Sequence, residues 1–224
     1  MSKLTKKQKE KLISDLLAAY PDAKCALDYG SDFQLLVAVV LSAQTTDVSV
    51  NKVTPALFAA APGPGEMAAL GQERLENYIR SIGLYKSKAK NVIALSGALV
   101  ERFAGQVPCT FDELTSLPGV GRKTANVVMA ELFGAQTIAV DTHVFRLANR
   151  TGLAVLEGAV KRGLPEKTSA AVLETELQLQ KAIPHELWTK MHHALIWHGR
   201  LVCRAQRPDC EHCAINDTCK KNGV

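Results

Sequence analysis

Along this chain apolar residues return every three or four positions in nearly every segment, and they nowhere alternate strictly for more than four residues. That periodicity predicts helices, with glycine and proline marking where they stop. Thr5 can cap a helix carrying Leu12, Ile13, Leu16, Leu17 and Tyr20, stopped by Pro21. Asp32 to Ser42 is apolar on all sides, the pattern of a helix in the middle of a core. Asp47 can cap the next helix, which Pro55 must kink or split. Glu73 to Ile82 and Ser87 to Phe103 are amphipathic and closed by Gly83 and Gly105. Thr110 and Glu113 form a T-x-x-E capping box for a short helix ending near Ser116. Arg122 to Phe133 follows, stopped by Gly134, and Asp141 can cap Thr142 to Asn149. The last helices run from about Thr168 to Ala182 and from His185 to Trp197, whereas Ala60 to Gly71 and Glu157 to Glu166 read as loops. The expected fold class is all-α.

Composition adds bounds to this picture. At 224 residues and 47% hydrophobic, the chain is one large domain or two small ones with ample apolar material. The longest aliphatic run, Leu35 to Leu41, is far short of a bilayer span. The basic start, MSKLTKKQKEKL, leads into an amphipathic pattern and not into a signal-peptide apolar stretch. The expectation is therefore a cytoplasmic chain, with Cys25 and Cys109 as reduced core thiols. A net charge of +5 permits a polyanionic partner without establishing one. Its placement says more: Lys3, Lys6, Lys7, Lys9 and Lys11 crowd one end, and Arg200, Arg204, Arg207, Lys220 and Lys221 surround four cysteines.

Those cysteines, Cys203, Cys210, Cys213 and Cys219, follow the pattern C-x6-C-x2-C-x5-C in a segment with almost no apolar residues. Four thiols this close can converge on one tetrahedral centre, and a segment too polar to hold a core needs a metal or cluster to order it. Two disulfides are the rival reading and require an oxidising compartment. On spacing alone zinc is the default, and the choice between zinc and iron–sulfur stays open.

Other residues carry candidate chemistry. In Leu117-Pro118-Gly119-Val120-Gly121-Arg122-Lys123, alternate glycines allow a sharp turn that leaves N–H groups uncovered at the next helix's start. That is a phosphate site, with Arg122 as a mobile cation beside it, or an ordinary helix connection. Lys123 is either a phosphate-binding lysine or a nucleophile; helix dipole, neighbouring cation and burial would favour the uncharged amine a Schiff base needs. Asp141 reads as a helix cap, a position that keeps its carboxylate ionised and able to stabilise a developing oxocarbenium ion. Ile82-Gly83-Leu84 is an apolar wedge on a glycine turn or a piece of core, and Gln44 alone reads as a helix-end hydrogen-bonder. His192, His193 and His198 suit orienting hydrogen bonds near the cysteines better than metal ligation.

With its capping box ahead and Lys-Thr-Ala-Asn behind, the turn resembles the helix–hairpin–helix of base-excision DNA glycosylases. Further stretches resemble the endonuclease III family in particular: Leu41-Ser-Ala-Gln-Thr-Thr-Asp47, Ile82-Gly-Leu-Tyr85, Ala139-Val-Asp-Thr-His-Val-Phe-Arg146, His198-Gly-Arg200 and the 6-2-5 cysteine spacing. The resemblance runs from about Lys7 to Cys219. It implies two α-helical lobes with the lesion in the cleft between them: 25–135 with the helix–hairpin–helix, and 1–24 with 136–224 closed by the four-cysteine loop. It also implies a [4Fe–4S] cluster on Cys203, Cys210, Cys213 and Cys219.

The implied activity is that of a bifunctional DNA glycosylase and abasic-site lyase acting on oxidised pyrimidines in double-stranded DNA, as a nucleoid-associated monomer. Lys123 would attack C1′ and Asp141 would be the catalytic carboxylate. Gln44, Ile82 and Leu84 would enter the stack vacated by an extruded base. Gly119, Gly121, Arg122, His143, Arg204 and Arg207 would contact DNA. A monofunctional mismatch glycosylase for adenine or thymine is the alternative, which Lys123 opposes; a non-catalytic DNA-binding module is a third reading. The segment Ala154 to Ser169 looks longer than is usual in the family and could alter lesion preference.

Overall fold

The computed structural model describes residues 2–156, 160–161 and 164–224, with the backbone alone at 160, 161 and 164. Among these residues the helices are α1 (Lys6–Ala19), α2 (Asp32–Leu41), α3 (Asp47–Ala60), α4 (Pro64–Leu70), α5 (Gln72–Ile79), α6 (Tyr85–Phe103), α7 (Phe111–Thr115), α8 (Arg122–Phe133), α9 (Thr142–Thr151), α10 (Ser169–Ala182) and α11 (Trp188–Leu201), the last preceded by a 3-10 turn, His185–Leu187. Extended structure is limited to a two-residue antiparallel pairing of β1 (Val160–Lys161) with β2 (Leu164–Pro165), inside the stretch expected to be a loop. Residues 157–159 and 162–163 of that expected loop lie outside the described residues. No described helix is long and apolar enough to cross a membrane.

The chain divides into two compact units, one formed by Ala26–Gly134 and the other by Met1–Cys25 with Ala135–Val224. The continuous unit is built around α2, in which Phe33 and every residue from Leu35 to Leu41 are buried. Its pattern, apolar on all sides, is what a helix surrounded by others requires. Helices α3, α6 and α8 pack against α2, and α4 and α5 against α6. In the discontinuous unit α9 packs on α10 and α11, and α1 on α11, around a core that includes Leu12, Leu16, Phe145, Leu147, Leu179, Met191 and Leu195.

Three local expectations are corrected. The Pro/Gly/Ala-rich stretch 60–71 contains α4, started by Pro64 at the one helical position where a missing N–H costs nothing, and anchored by buried Met67. Pro55 does not split α3, and the helix's cap is Thr46, whose hydroxyl accepts from Ser49 N–H, in place of Asp47. Cys109 is exposed and Cys25 half-buried, so neither is a core thiol.

Candidate functional site

In the continuous unit the turn between α7 and α8 is set by local hydrogen bonds and one close packing contact. Thr110 caps α7, accepting from Glu113 N–H, and Val120 N–H donates to Leu117 O at 3.1 Å. Gly119 has φ +77°, and a Cβ there would fall 2.8 Å from Cβ of Asn91 on α6. Glycine is thus required twice, by the backbone and by the neighbour. Gly121 is the N-cap of α8 and supplies no side-chain cap, so the first-turn N–H groups are left for another acceptor. The Arg122 guanidinium stands 5.3 Å from the Phe111 ring centroid, a cation–π contact beside the hairpin. Lys123, second residue of α8, is exposed. The burial expected for it is not supplied by the chain.

Two other turns of this unit present side chains outward from left-handed backbone. Gln44, after α2, has φ +54° and is exposed. Leu84 has φ +59°, serves as the N-cap of α6 and is 57% exposed. A non-glycine residue in this region costs about 1–2 kcal/mol, and such residues concentrate at functional sites. Ile82 is 3% exposed, its side chain buried in the core of this unit. Gly83 does not take the left-handed conformation expected of a helix-closing glycine; Leu84 does.

In the discontinuous unit Asp141 caps α9. Its Oδ1 accepts from Val144 N–H at 2.8 Å, so the cap engages one carboxylate oxygen and keeps the side chain at the helix's positive end. Lys167 donates from Nζ to the neighbouring Thr142 hydroxyl at 3.1 Å. His143 meets Arg146, whose Nη2 lies 3.2 Å from Nδ1. Burial holds the imidazole below the ordinary histidine range, and the positive charges of Arg146 and Arg200 push the same way against the attraction of Asp141. Gly199 makes room for it, since a Cβ there would lie 2.9 Å from His143 Cβ.

Sequence reading missed the two arginines that tie α9 to the cysteine segment. Arg146, 8% exposed, donates to Gly199 O at 2.9 Å and to Cys203 O. Arg150, 5% exposed, donates to Arg204 O at 2.6 Å, to Ala205 O at 3.0 Å and to Cys203 Sγ at 3.5 Å. Their four-residue spacing puts both on one helix face, yet in the sequence such a pair reads as a solvated stripe. Arg204 and Arg207 themselves are exposed, Arg207 with φ +50°.

The four cysteines carry no disulfide and line one small cavity together with Arg150, His198, Ile215 and Pro208. Lys221 N–H donates to Cys219 Sγ at 3.4 Å. His198 lies between Tyr20 Oη, 2.9 Å from Nδ1, and Cys213 Sγ, 3.5 Å from Nε2. Burial lowers His198 to about 4, so the imidazole is neutral and carries one proton, on Nδ1 toward Tyr20 Oη or on Nε2 toward Cys213 Sγ. Burial, reinforced by the charges of the other cysteines, pushes the Cys213 and Cys219 thiols up. A cationic centre would relieve that penalty. No three His, Cys, Asp or Glu side chains among the described residues converge on a single metal ion, although the four sulfurs share a cavity.

A helix–hairpin–helix in one unit and a capped carboxylate above a four-cysteine segment in the other place the chain in a class. The HhH-GPD family, described as a superfamily of base excision DNA repair proteins, matches residues 37–165. Endonuclease III of Rickettsia conorii is 51% identical over 199 residues, 89% of each chain, and that of Treponema pallidum 49% over 213 residues, 95% of each. A solved structure of a trapped endonuclease III–DNA covalent intermediate superimposes with a TM-score of 0.88 at 44% identity, over 97% of each chain. The chain belongs to the endonuclease III family.

Proposed function

We propose that this chain removes oxidised pyrimidines from double-stranded DNA and then nicks the abasic site, with Lys123 as nucleophile and Asp141 as the supporting carboxylate. The observation that carries the reading is Lys123 itself, an exposed amine at the N-terminus of α8 directly behind the Gly119–Gly121 turn. The backbone N–H groups of that turn, with Gly119, Gly121 and Arg122, hold a backbone phosphate and bring the sugar to the amine. Gln44 and Leu84 fill the gap that the extruded nucleotide leaves. His143, Arg204 and Arg207 add DNA contacts.

The chemistry balances as follows. Once it has given up its ammonium proton to solvent, the Lys123 nitrogen bonds to C1′ while the C1′–N bond to the base breaks; the base leaves with that electron pair and takes up a proton from water. Asp141 stabilises the positive charge that develops on the sugar. As the C1′–O4′ bond opens, one nitrogen proton passes to O4′ and the protonated imine forms; a proton then leaves C2′ and the C3′–O bond breaks, expelling the 3′ phosphate with that electron pair. That a covalent endonuclease III–DNA intermediate was trapped in the 44% identical neighbour supports this sequence of steps.

The cysteine quartet fits a [4Fe–4S] cluster held by Cys203, Cys210, Cys213 and Cys219. When bound, the cluster supplies rigidity to the basic loop that it closes and takes no part in bond breaking.

Borohydride trapping on a duplex carrying one oxidised pyrimidine tests the proposal. A covalent protein–DNA adduct is expected that disappears in Lys123→Ala. Base release without an adduct would make water the nucleophile and the enzyme monofunctional. Binding with neither adduct nor release, over a panel of lesions, would leave a non-catalytic module.

A further inference from the structure

Helix α6 presents three residues of one face, at i, i+4 and i+7, to three different turns. Leu84 is its cap and lies in one of them. Lys88 donates from Nζ to the Thr45 hydroxyl, beside Gln44 in the second. Asn91 packs under Gly119 in the third, the hairpin. All of these residues belong to the continuous unit.

Lys88 is the unusual member. It is 4% exposed, and no carboxylate contributes to its electrostatics; burial alone acts on the ammonium and pushes it down. A leucine or methionine would fill the same space without burying a charge. The lysine does what they could not, since its stem crosses the packed face and its head reaches a turn 43 residues away in sequence. Its own backbone N–H donates to Leu84 O at 3.0 Å, so one residue grips both turns. On the far side Thr45 N–H donates to Ser42 O at 3.0 Å and Ser42 Oγ to Val39 O at 2.8 Å, which anchors the Gln44 turn to the end of α2. Both gripped turns carry an exposed side chain on left-handed backbone, a conformation that persists only where neighbours over-determine it.

We propose that Lys88 is a positioning residue for base extrusion. By tying Thr45 to the first turn of α6 it holds Gln44 and Leu84 at the fixed separation that filling a vacated base stack requires. The inference rests on reading Gln44 and Leu84 as gap-fillers, and its test separates the two ideas.

The experiment is stopped-flow extrusion of a fluorescent base analogue beside a lesion in duplex DNA. The variants are Lys88→Met, Thr45→Val, the double variant, Thr45→Ser, Gln44→Ala and Leu84→Ala. Thermal midpoints and borohydride trapping on an abasic site in single-stranded DNA, which needs no gap filled, serve as controls. Lys88→Met and Thr45→Val should each slow extrusion about tenfold, the loss of one charge-assisted hydrogen bond, with the double variant no slower than either. Thr45→Ser should restore the rate, and single-stranded trapping should be unchanged. Wild-type extrusion in Lys88→Met or in Thr45→Val, with Gln44→Ala and Leu84→Ala slow, would overturn the clamp. Wild-type extrusion in Gln44→Ala and Leu84→Ala would overturn the gap-filling reading beneath it. Because Thr45→Val leaves the buried lysine in place, the test survives if Lys88→Met does not fold.

Discussion

The guanidinium of Arg150 donates to the carbonyl oxygen of Arg204 at 2.6 Å, from a side chain that solvent scarcely reaches. The loop expected to face DNA is therefore held from behind by a residue of the helix that Asp141 caps.

Arg150→Met should leave the part-buried carbonyls of Arg204 and Ala205 without their donor, at about 1 kcal/mol for each lost bond. Arg150→Lys should recover little, because one ammonium cannot reproduce a planar fork with two directed bonds. Denaturant titration measures the loss, and if the proposed cluster is bound, its visible absorption should fall in parallel.

Capping and catalysis can be separated at Asp141. Asparagine retains an oxygen that accepts from Val144 N–H, whereas alanine does not. Asp141→Ala should cost about 1 kcal/mol and Asp141→Asn no more than a few tenths. Both should lose most base release, since neither carries the negative charge. Equal activity in Asp141→Asn and wild type would reduce this residue to a cap.

Arg204 and Arg207 are exposed and bear on DNA only if phosphates reach them. Each substitution by alanine should then lower the slope of log affinity against log salt by about 0.9, with little effect on the thermal midpoint. An unchanged slope would return both to the solvated surface.

His143 is held below the ordinary histidine value of 6.5, chiefly by burial. The unfolded chain therefore binds a proton at this site more readily than the folded one, and stability rises with pH across the interval between the two values. The contribution is fully present above 6.5 and is lost as pH falls through that interval toward the folded value. His143→Gln should flatten the acid limb of a stability–pH curve by less than one proton. A steeper limb would put the imidazole on the charged side.

What could be read from the sequence was whatever depends on neighbours along the chain. The uniformly apolar stretch 32–42, the Thr5 and Asp141 caps, and the stop at Gly134 are local patterns, and each forms as expected. Composition misled at 60–71, where a single buried methionine sustains a seven-residue helix that glycine and proline concealed. The Ile82-Gly83-Leu84 turn shows the limit more sharply. Two aliphatic side chains two positions apart look equivalent, and only the turn of the backbone sends one inward and the other out. Lys88, Arg146 and Arg150 were invisible for the converse reason, being charged residues whose partners lie 43 or more positions away.

The discontinuity at Cys25 and Ala135 also orders events on the ribosome. Ala26–Gly134 emerges in one uninterrupted run and can fold while translation continues. Helix α1 has by then been made and must wait, because its partner α11 ends at Leu201. Cys219 comes later still, just before Asn222, whose side-chain amide donates to Ser2 O at 3.1 Å. The turns that carry Gln44 and Leu84 can thus acquire their shape before the cysteine segment exists. If the four cysteines hold the proposed cluster, failure to load it would leave a half-built chain with an intact hairpin face and an incomplete second unit.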